Sequence, residues 1–203
     1  MSSILYYLLT FAESITSVFG LRFAYEQPHY VVVQDLGQSV EVRRYDARLA
    51  IEATVEGADR DKAASEAFLL LFRYITGANQ REQKIAMTAP VRTDVQRIAM
   101  TTPVQTTSTG MRFFLPIEVA QAGAPAPVDP RLRLVEVPES TIAARRYSGI
   151  ADEVSRDHNA AILFSALAQS TWNPEGGIFQ FNYDPPFAIP FLRRNEVAVA
   201  VTR

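Results

Sequence analysis

The sequence predicts an α+β protein in which a mainly antiparallel sheet curls around a shared core and carries two helices on it. Three observations predict this. Runs rich in Val, Ile, Tyr and Thr alternate with turn residues from Tyr30 onward; two helical periods interrupt them; and the order strand, strand, helix, strand recurs on either side of a Pro/Ala-rich stretch from Pro116 to Pro130. A chain of 203 residues, 48% hydrophobic and 21% charged, suits one domain with a full core and would be cramped as two.

Taken in order, Val40 to Tyr45 and Ala47 to Val55 read as the first two strands. Gly57, Asp59 and Asp61 then end the sheet and cap a helix. Its apolar positions Ala64, Phe68, Leu71, Phe72 and Ile75 follow i, i+4, i+7, i+8, i+11, and Gly77 closes it. Leu69 and Leu70 fall on another side of this helix close to Arg73, so its apolar surface exceeds what one buried face requires. Ile85 to Val91 and Ile98 to Val104 repeat one pattern, Ile-Ala-Met-Thr-(Ala/Thr)-Pro-Val, thirteen positions apart, and are expected to pair as strands. Pro90 and Pro103 lack a ladder donor and should end those strands or place them at an edge.

Met111 to Leu115 is a further strand, and Pro116 to Pro130 an exposed connection. Beyond it come strands at Leu132 to Val137 and Ile142 to Tyr147, a break at Gly149 and a helix over Asp152 to Thr171. Strands at Ile178 to Tyr183 and Glu196 to Val201 complete the order. The recurrence of the same order in both halves points to a duplicated unit.

The first 25 residues stand apart from a domain spanning residues 26–203. Ile4 to Phe23 is apolar and aromatic, yet Glu13 lies in its middle and no Lys or Arg precedes it as a signal peptide requires. The segment reads as an amphipathic helix that packs on the domain or lies on a membrane surface, packing being favoured. The expected location is cytoplasmic, with peripheral membrane contact through residues 4–23 as the alternative.

Several function classes are excluded. Twenty basic against twenty-two acidic residues give a net charge of -2, which offers no steering toward nucleic acid. The absence of cysteine removes disulfides, thiolate chemistry and iron–sulfur clusters. No nucleophile elbow, Walker loop, dinucleotide fingerprint or zinc-protease motif is present, so no enzyme activity is predicted. Gly176-Gly177 follows a helix and precedes a strand, the reverse of a phosphate loop, and reads as a turn. His158 points away from the apolar side of the second helix and reads as solvated. His29, Met87 and Met100 are weak candidates for axial metal ligation. Surface hydrogen bonding for His29 and gap filling for the methionines are the stronger readings.

Several segments together resemble the SOUL haem-binding protein family: Val40-Glu41-Val42-Arg43-Arg44-Tyr45, Phe72-Arg73-Tyr74-Ile75-Thr76-Gly77-Ala78-Asn79, and Lys84-Ile85-Ala86-Met87-Thr88-Ala89-Pro90-Val91. Tyr183-Asp184-Pro185-Pro186-Phe187 with Phe191-Leu192-Arg193-Arg194-Asn195-Glu196-Val197 is the most specific of them. The fragments occur in order from about Tyr30 to Val201. The resemblance implies a distorted antiparallel β-barrel of duplicated βαββ units with two helices packed on it. It also implies a carrier or buffer for haem or another tetrapyrrole, bound in a shallow apolar cleft beside the first helix. Carried over by position, Phe68, Phe72 and Arg73, with Leu69 adjoining, would form the helical side of that cleft. Tyr183 and Phe187 would form its loop side, and Arg73 would pair a propionate. This chain departs from relatives at two places. Arg44 stands where some carry a proposed axial histidine, and Ala188 where some carry a propionate-binding lysine.

The duplicated architecture also resembles effector-binding domains of certain transcription regulators, whose clefts hold a buried carboxylate for a cationic or apolar ligand. Glu52, Glu66 and Glu196 are the candidates for such a carboxylate. A third reading, an enzyme acting on a tetrapyrrole, would use Tyr183 or Glu196 as proton donor or acceptor, and nothing in the sequence positions such a pair.

Overall fold

The computed structural model describes residues 26–56, 60–94, 108–184 and 188–203. Among these residues, nine strands and three helices follow in the order β1 (Tyr30–Gly37), β2 (Val40–Tyr45), β3 (Arg48–Glu56), α1 (Arg60–Ile75), β4 (Val91–Asp94), β5 (Ser108–Phe114), α2 (Ile117–Gln121), β6 (Leu132–Val137), β7 (Ser140–Tyr147), α3 (Glu153–Ala168), β8 (Asn173–Asn182) and β9 (Asn195–Thr202). A 3-10 turn at Pro190–Leu192 leads into β9.

All strands join one sheet in the order β1-β2-β7-β9-β8-β4-β5-β3-β6, and every neighbouring pair is antiparallel. Matching β2, β3, α1, β4 and β5 to β6, β7, α3, β8 and β9 makes this order symmetric about the β4–β8 pair. Each unit lends its first strand to the other, β2 to β7 and β6 to β3. The duplication inferred from the order of elements is therefore present in the pairing.

Alternating side chains distribute the core over both faces of this sheet. On one face α1 buries Ala67, Leu70, Leu71 and Tyr74 against Ile51, Ala53 and Phe113. On the same face of the other half α3 buries Ala160, Leu163 and Leu167 against Val40, Val42, Val197 and Val199. Ala50, Phe114, Ala144, Phe181 and Ala198, each next in chain to a residue of those clusters or of the opposite parity, meet on the other face around Tyr45. Tyr45 of β2 and Phe181 of β8 have ring centroids 6.3 Å apart although two strands separate them, so the sheet is strongly curled. Among the described residues it is not closed: β1 and β6 are its ends and each pairs on one side, so the large antiparallel sheet is present without a closed barrel.

The structure corrects four details of the sequence reading. Ile85–Pro90 is not a strand; pairing begins at Val91, after Pro90, which has no N–H to give a ladder. The second copy of that pattern, with Met100, lies outside the described residues. The Pro/Ala-rich connection contains the short helix α2, and β8 starts at Asn173 rather than Ile178. The core face of α1 is rotated from the predicted one: Leu70 is buried and Phe72 exposed, because Ala63, Ala67 and Tyr74 turn toward the sheet.

Candidate ligand cleft

Phe68 and Phe72, one turn apart on α1, stack with centroids 6.1 Å apart and planes 12° from parallel, and Phe113 of β5 meets Phe68 edge-on at 5.5 Å. These two rings form one wall of a cleft of about 670 Å³, within the usual range of small-molecule sites. Met87, Ala89, Val91 and Met111 continue the apolar lining, and Ile150 faces them from the turn before α3. Gly149, at φ +105, makes that turn; its N–H donates to the Pro190 carbonyl at 2.9 Å, and Asn195 Nδ2 donates to its carbonyl at 3.0 Å. Asp152 caps α3 by accepting the Ser155 N–H at 2.8 Å.

Tyr183 lies on the cleft wall and is held from behind. Its hydroxyl donates to Glu196 Oε2 at 3.0 Å, and the Arg194 guanidinium lies 4.0 Å from its ring centroid. Glu196 is completely buried; Arg43 Nη1 donates to Oε2 at 2.8 Å and Arg194 Nη2 to Oε1 at 2.6 Å. Burial pushes the Glu196 carboxyl up, but Arg43 and Arg194 outweigh it and hold the group below the ordinary carboxylate range. Burial first, and then the Glu196 charge, raise the Tyr183 phenol well above its usual value. The phenol is thus a fixed, protonated donor satisfied by Glu196.

The sequence-predicted residues fall as follows. Phe68, Phe72, Tyr183 and Met87 line the cleft. Leu69 is 54% exposed and is not among the lining residues, and neither is Arg73, whose charge acts on Asp129. Phe187 and Met100 lie outside the described residues. His29 is exposed with Nδ1 3.3 Å from Asp46 Oδ2, and His158 is exposed on α3; neither lines the cleft. Arg44 is exposed on β2. Ala188 is buried, and its carbonyl accepts from Arg193 Nε at 2.9 Å, which sets Arg193 on the cleft wall.

Met111, Ile150, Arg193 and Asn195 were not singled out from the sequence. The usable signals were local: Ile150 follows the break at Gly149, and Arg193 and Asn195 lie inside the carboxyl-terminal pattern quoted above. Of the three carboxylates weighed for a cationic ligand, Glu66 is exposed. Glu52 and Glu196 are buried but engaged by arginines: Arg112 and Arg133 reach Glu52 at 2.6 and 2.5 Å. None of the three lines the cleft. No group of three or more His, Cys, Asp or Glu suited to a metal ion occurs among the described residues, and no described helix is long and apolar enough to cross a membrane.

The combination defines a class: an α+β protein with one two-fold-repeated sheet and an apolar cleft against the first helix. The family model described as SOUL heme-binding protein matches residues 25–200, and the chain belongs to that family. Heme-binding protein 1 of Xenopus tropicalis is 29% identical over 161 residues, 79% of this chain and 83% of that protein. Heme-binding protein 2 of Homo sapiens is 28% identical over 149 residues, covering 72% and 71%. Among solved structures, the EcmrR C-terminal domain superposes with a TM-score of 0.59 at 7% identity, covering 81% of this chain and 97% of that domain; this is a likeness of fold alone.

Proposed function

We propose that the cleft beside α1 binds haem or another tetrapyrrole reversibly, as a carrier or buffer without catalysis. The observation that carries this reading is the parallel pair Phe68 and Phe72, a flat aromatic surface opening into an apolar cleft of sufficient size. The relatives named as heme-binding proteins supply the ligand class. Burial of a macrocycle against these rings provides the affinity, and Arg193, the arginine on the cleft wall, is assigned to a carboxylate arm in preference to Arg73 on the outer side of the helix.

The residues present fit the macrocycle better than its iron. The lining contains no imidazole, and its soft donors are the thioethers of Met87 and Met111. Binding is therefore assigned to burial and carboxylate pairing. The absence of catalysis is supported by Tyr183 and Glu196, whose polar atoms bond each other and two arginines rather than facing a substrate. The cationic-effector reading has no support from the cleft, whose lining carboxylates Asp152 and Asp184 accept the backbone N–H groups of Ser155 and Arg194.

Absorbance and fluorescence titration with haemin and with metal-free protoporphyrin tests the proposal. Both are expected to bind at micromolar protein with affinities within about threefold of each other. A lack of Soret change and of quenching with either ligand would reject it.

A further inference from the structure

The face of the sheet opposite the helices is rich in arginine. Arg43 pairs with Glu41 at 2.7 Å and Glu196 at 2.8 Å, Arg92 with Asp94 at 2.8 Å, and Arg112 with Glu52 at 2.6 Å. Arg48, the first residue of β3, differs. Its guanidinium lies over two rings, 4.5 Å from the centroid of Tyr45 and 4.6 Å from that of Phe114. Nη1 donates to the Asp46 carbonyl at 3.3 Å, whereas Nε and Nη2 are buried and have no partner.

Nε and Nη2 form one edge of the guanidinium plane, the fork that matches the two oxygens of a carboxylate. Contact with two buried rings restricts the direction of that fork, so little freedom is lost when an anion meets it. Burial, with Arg92 adding to it, pushes the Arg48 guanidinium down to about 10, the sign of a cation short of compensating charge. Tyr183, which lines the cleft, packs in the same buried cluster as Tyr45 and Phe114, so one set of packed rings connects the surroundings of Arg48 to the cleft wall.

We propose that Arg48 is the receptor for a small carboxylate held inside the curled sheet beside Tyr45 and Phe114. Two sources share this chemistry: a free monocarboxylate, or the acid arm of a larger ligand seated in the cleft. The first source is independent of the tetrapyrrole reading; the second rests on it.

The test has two arms on the wild-type chain and one variant. Formate and acetate are titrated against chloride at constant ionic strength while the arginine Nε–H resonances and Tm are followed. A saturable shift of one resonance, absent in Arg48→Lys, with a rise in Tm over equal chloride, is expected. In the second arm, mesoporphyrin is compared with its dimethyl ester. An affinity advantage of the diacid of tenfold or more that disappears in Arg48→Met assigns the ligand's own arm. Equal affinities of acid and ester, with the formate effect intact, assign a free carboxylate. Absence of a formate effect overturns the site when acid and ester bind alike, or when the diacid keeps its advantage in Arg48→Met. Should neither porphyrin bind, the tetrapyrrole reading fails by itself and the formate arm alone decides for or against Arg48.

Discussion

The two halves of the molecule repeat one plan but use their helices differently. On α3 the sheet-facing side buries Ala160, Leu163 and Leu167 and also Arg156 and Asn159, and the cleft touches only its amino-terminal approach. On α1 the described buried side chains are apolar apart from the Tyr74 hydroxyl, which donates to the Pro125 carbonyl at 2.8 Å, and a second apolar strip, with Phe72 43% exposed, is left over for the cleft. The lesson is that duplication supplied two equivalent scaffolds, and a pair of aromatic rings on one helix gave the cleft its flat wall while the other half supplied Ile150, Tyr183 and Arg193.

The buried carboxylates sharpen the contrast most. Glu196, in the second half, is enclosed with Arg43, whereas Glu52, in the first, is met by Arg133, whose side chain is 70% exposed. Glu196→Gln removes the fully buried charge between Arg43 and Arg194 and leaves Arg43 only the partly exposed Glu41, and is expected to cost about 3–5 kcal/mol in urea unfolding. Glu52→Gln, with its arginines able to turn to solvent, is expected to cost about 1–3 kcal/mol. Equal costs would break the distinction.

Leu71 and Leu163 occupy matching places, each with no exposed surface. Replacing either by Ala is expected to destabilise by about 2–5 kcal/mol, with the two values within about 1 kcal/mol of each other. A cooperative unfolding transition in both variants would show that the halves melt together, as the shared pairing β2–β7 and β3–β6 requires.

Acid should act through the same carboxylates. Both Glu52 and Glu196 are held below the ordinary range in the folded chain. Their contribution is therefore present above the unfolded pKa of about 4.3 and lost as pH falls through the lower folded values. Urea midpoints measured downward from pH 6 should begin to drop near pH 4.3, and less steeply in Glu196→Gln. The smallest stability change belongs to Phe72→Ala, about 1 kcal/mol or less, because the ring is partly solvated. The same substitution should weaken tetrapyrrole binding by about tenfold, separating ligand contact from core packing.

Much of the fold was legible because periodicity is local: β2, β3, α1, β6, β7, α3 and β9 follow their apolar spacing and turn residues. What was not legible depends on partners far along the chain. The Ile85–Pro90 segment has strand composition, but Pro90 delays the ladder until Val91. The rotation of α1 that buries Leu70 and frees Phe72 is set by Phe113 and Ile51, neither visible in helical spacing. For the site, helical spacing put Phe68 and Phe72 in the core stripe, and it was the family resemblance that placed their rings at the cleft. The clamp on Tyr183 needed Arg43, 153 positions from Glu196, to be brought beside it by β2, β7 and β9.

The open sheet has a consequence for assembly. Its terminal strand β1 carries Val31, Val32 and Val33 partly exposed, a composition that invites another chain to add a strand. Yet β1 shifts register between Val32 and Gln34 and again between Asp35 and Gly37. A strand arriving from a neighbouring molecule would meet a template whose spacing changes twice within eight residues. Irregularity at this edge is thus a safeguard against edge-to-edge aggregation, and it allows valines to remain at the surface.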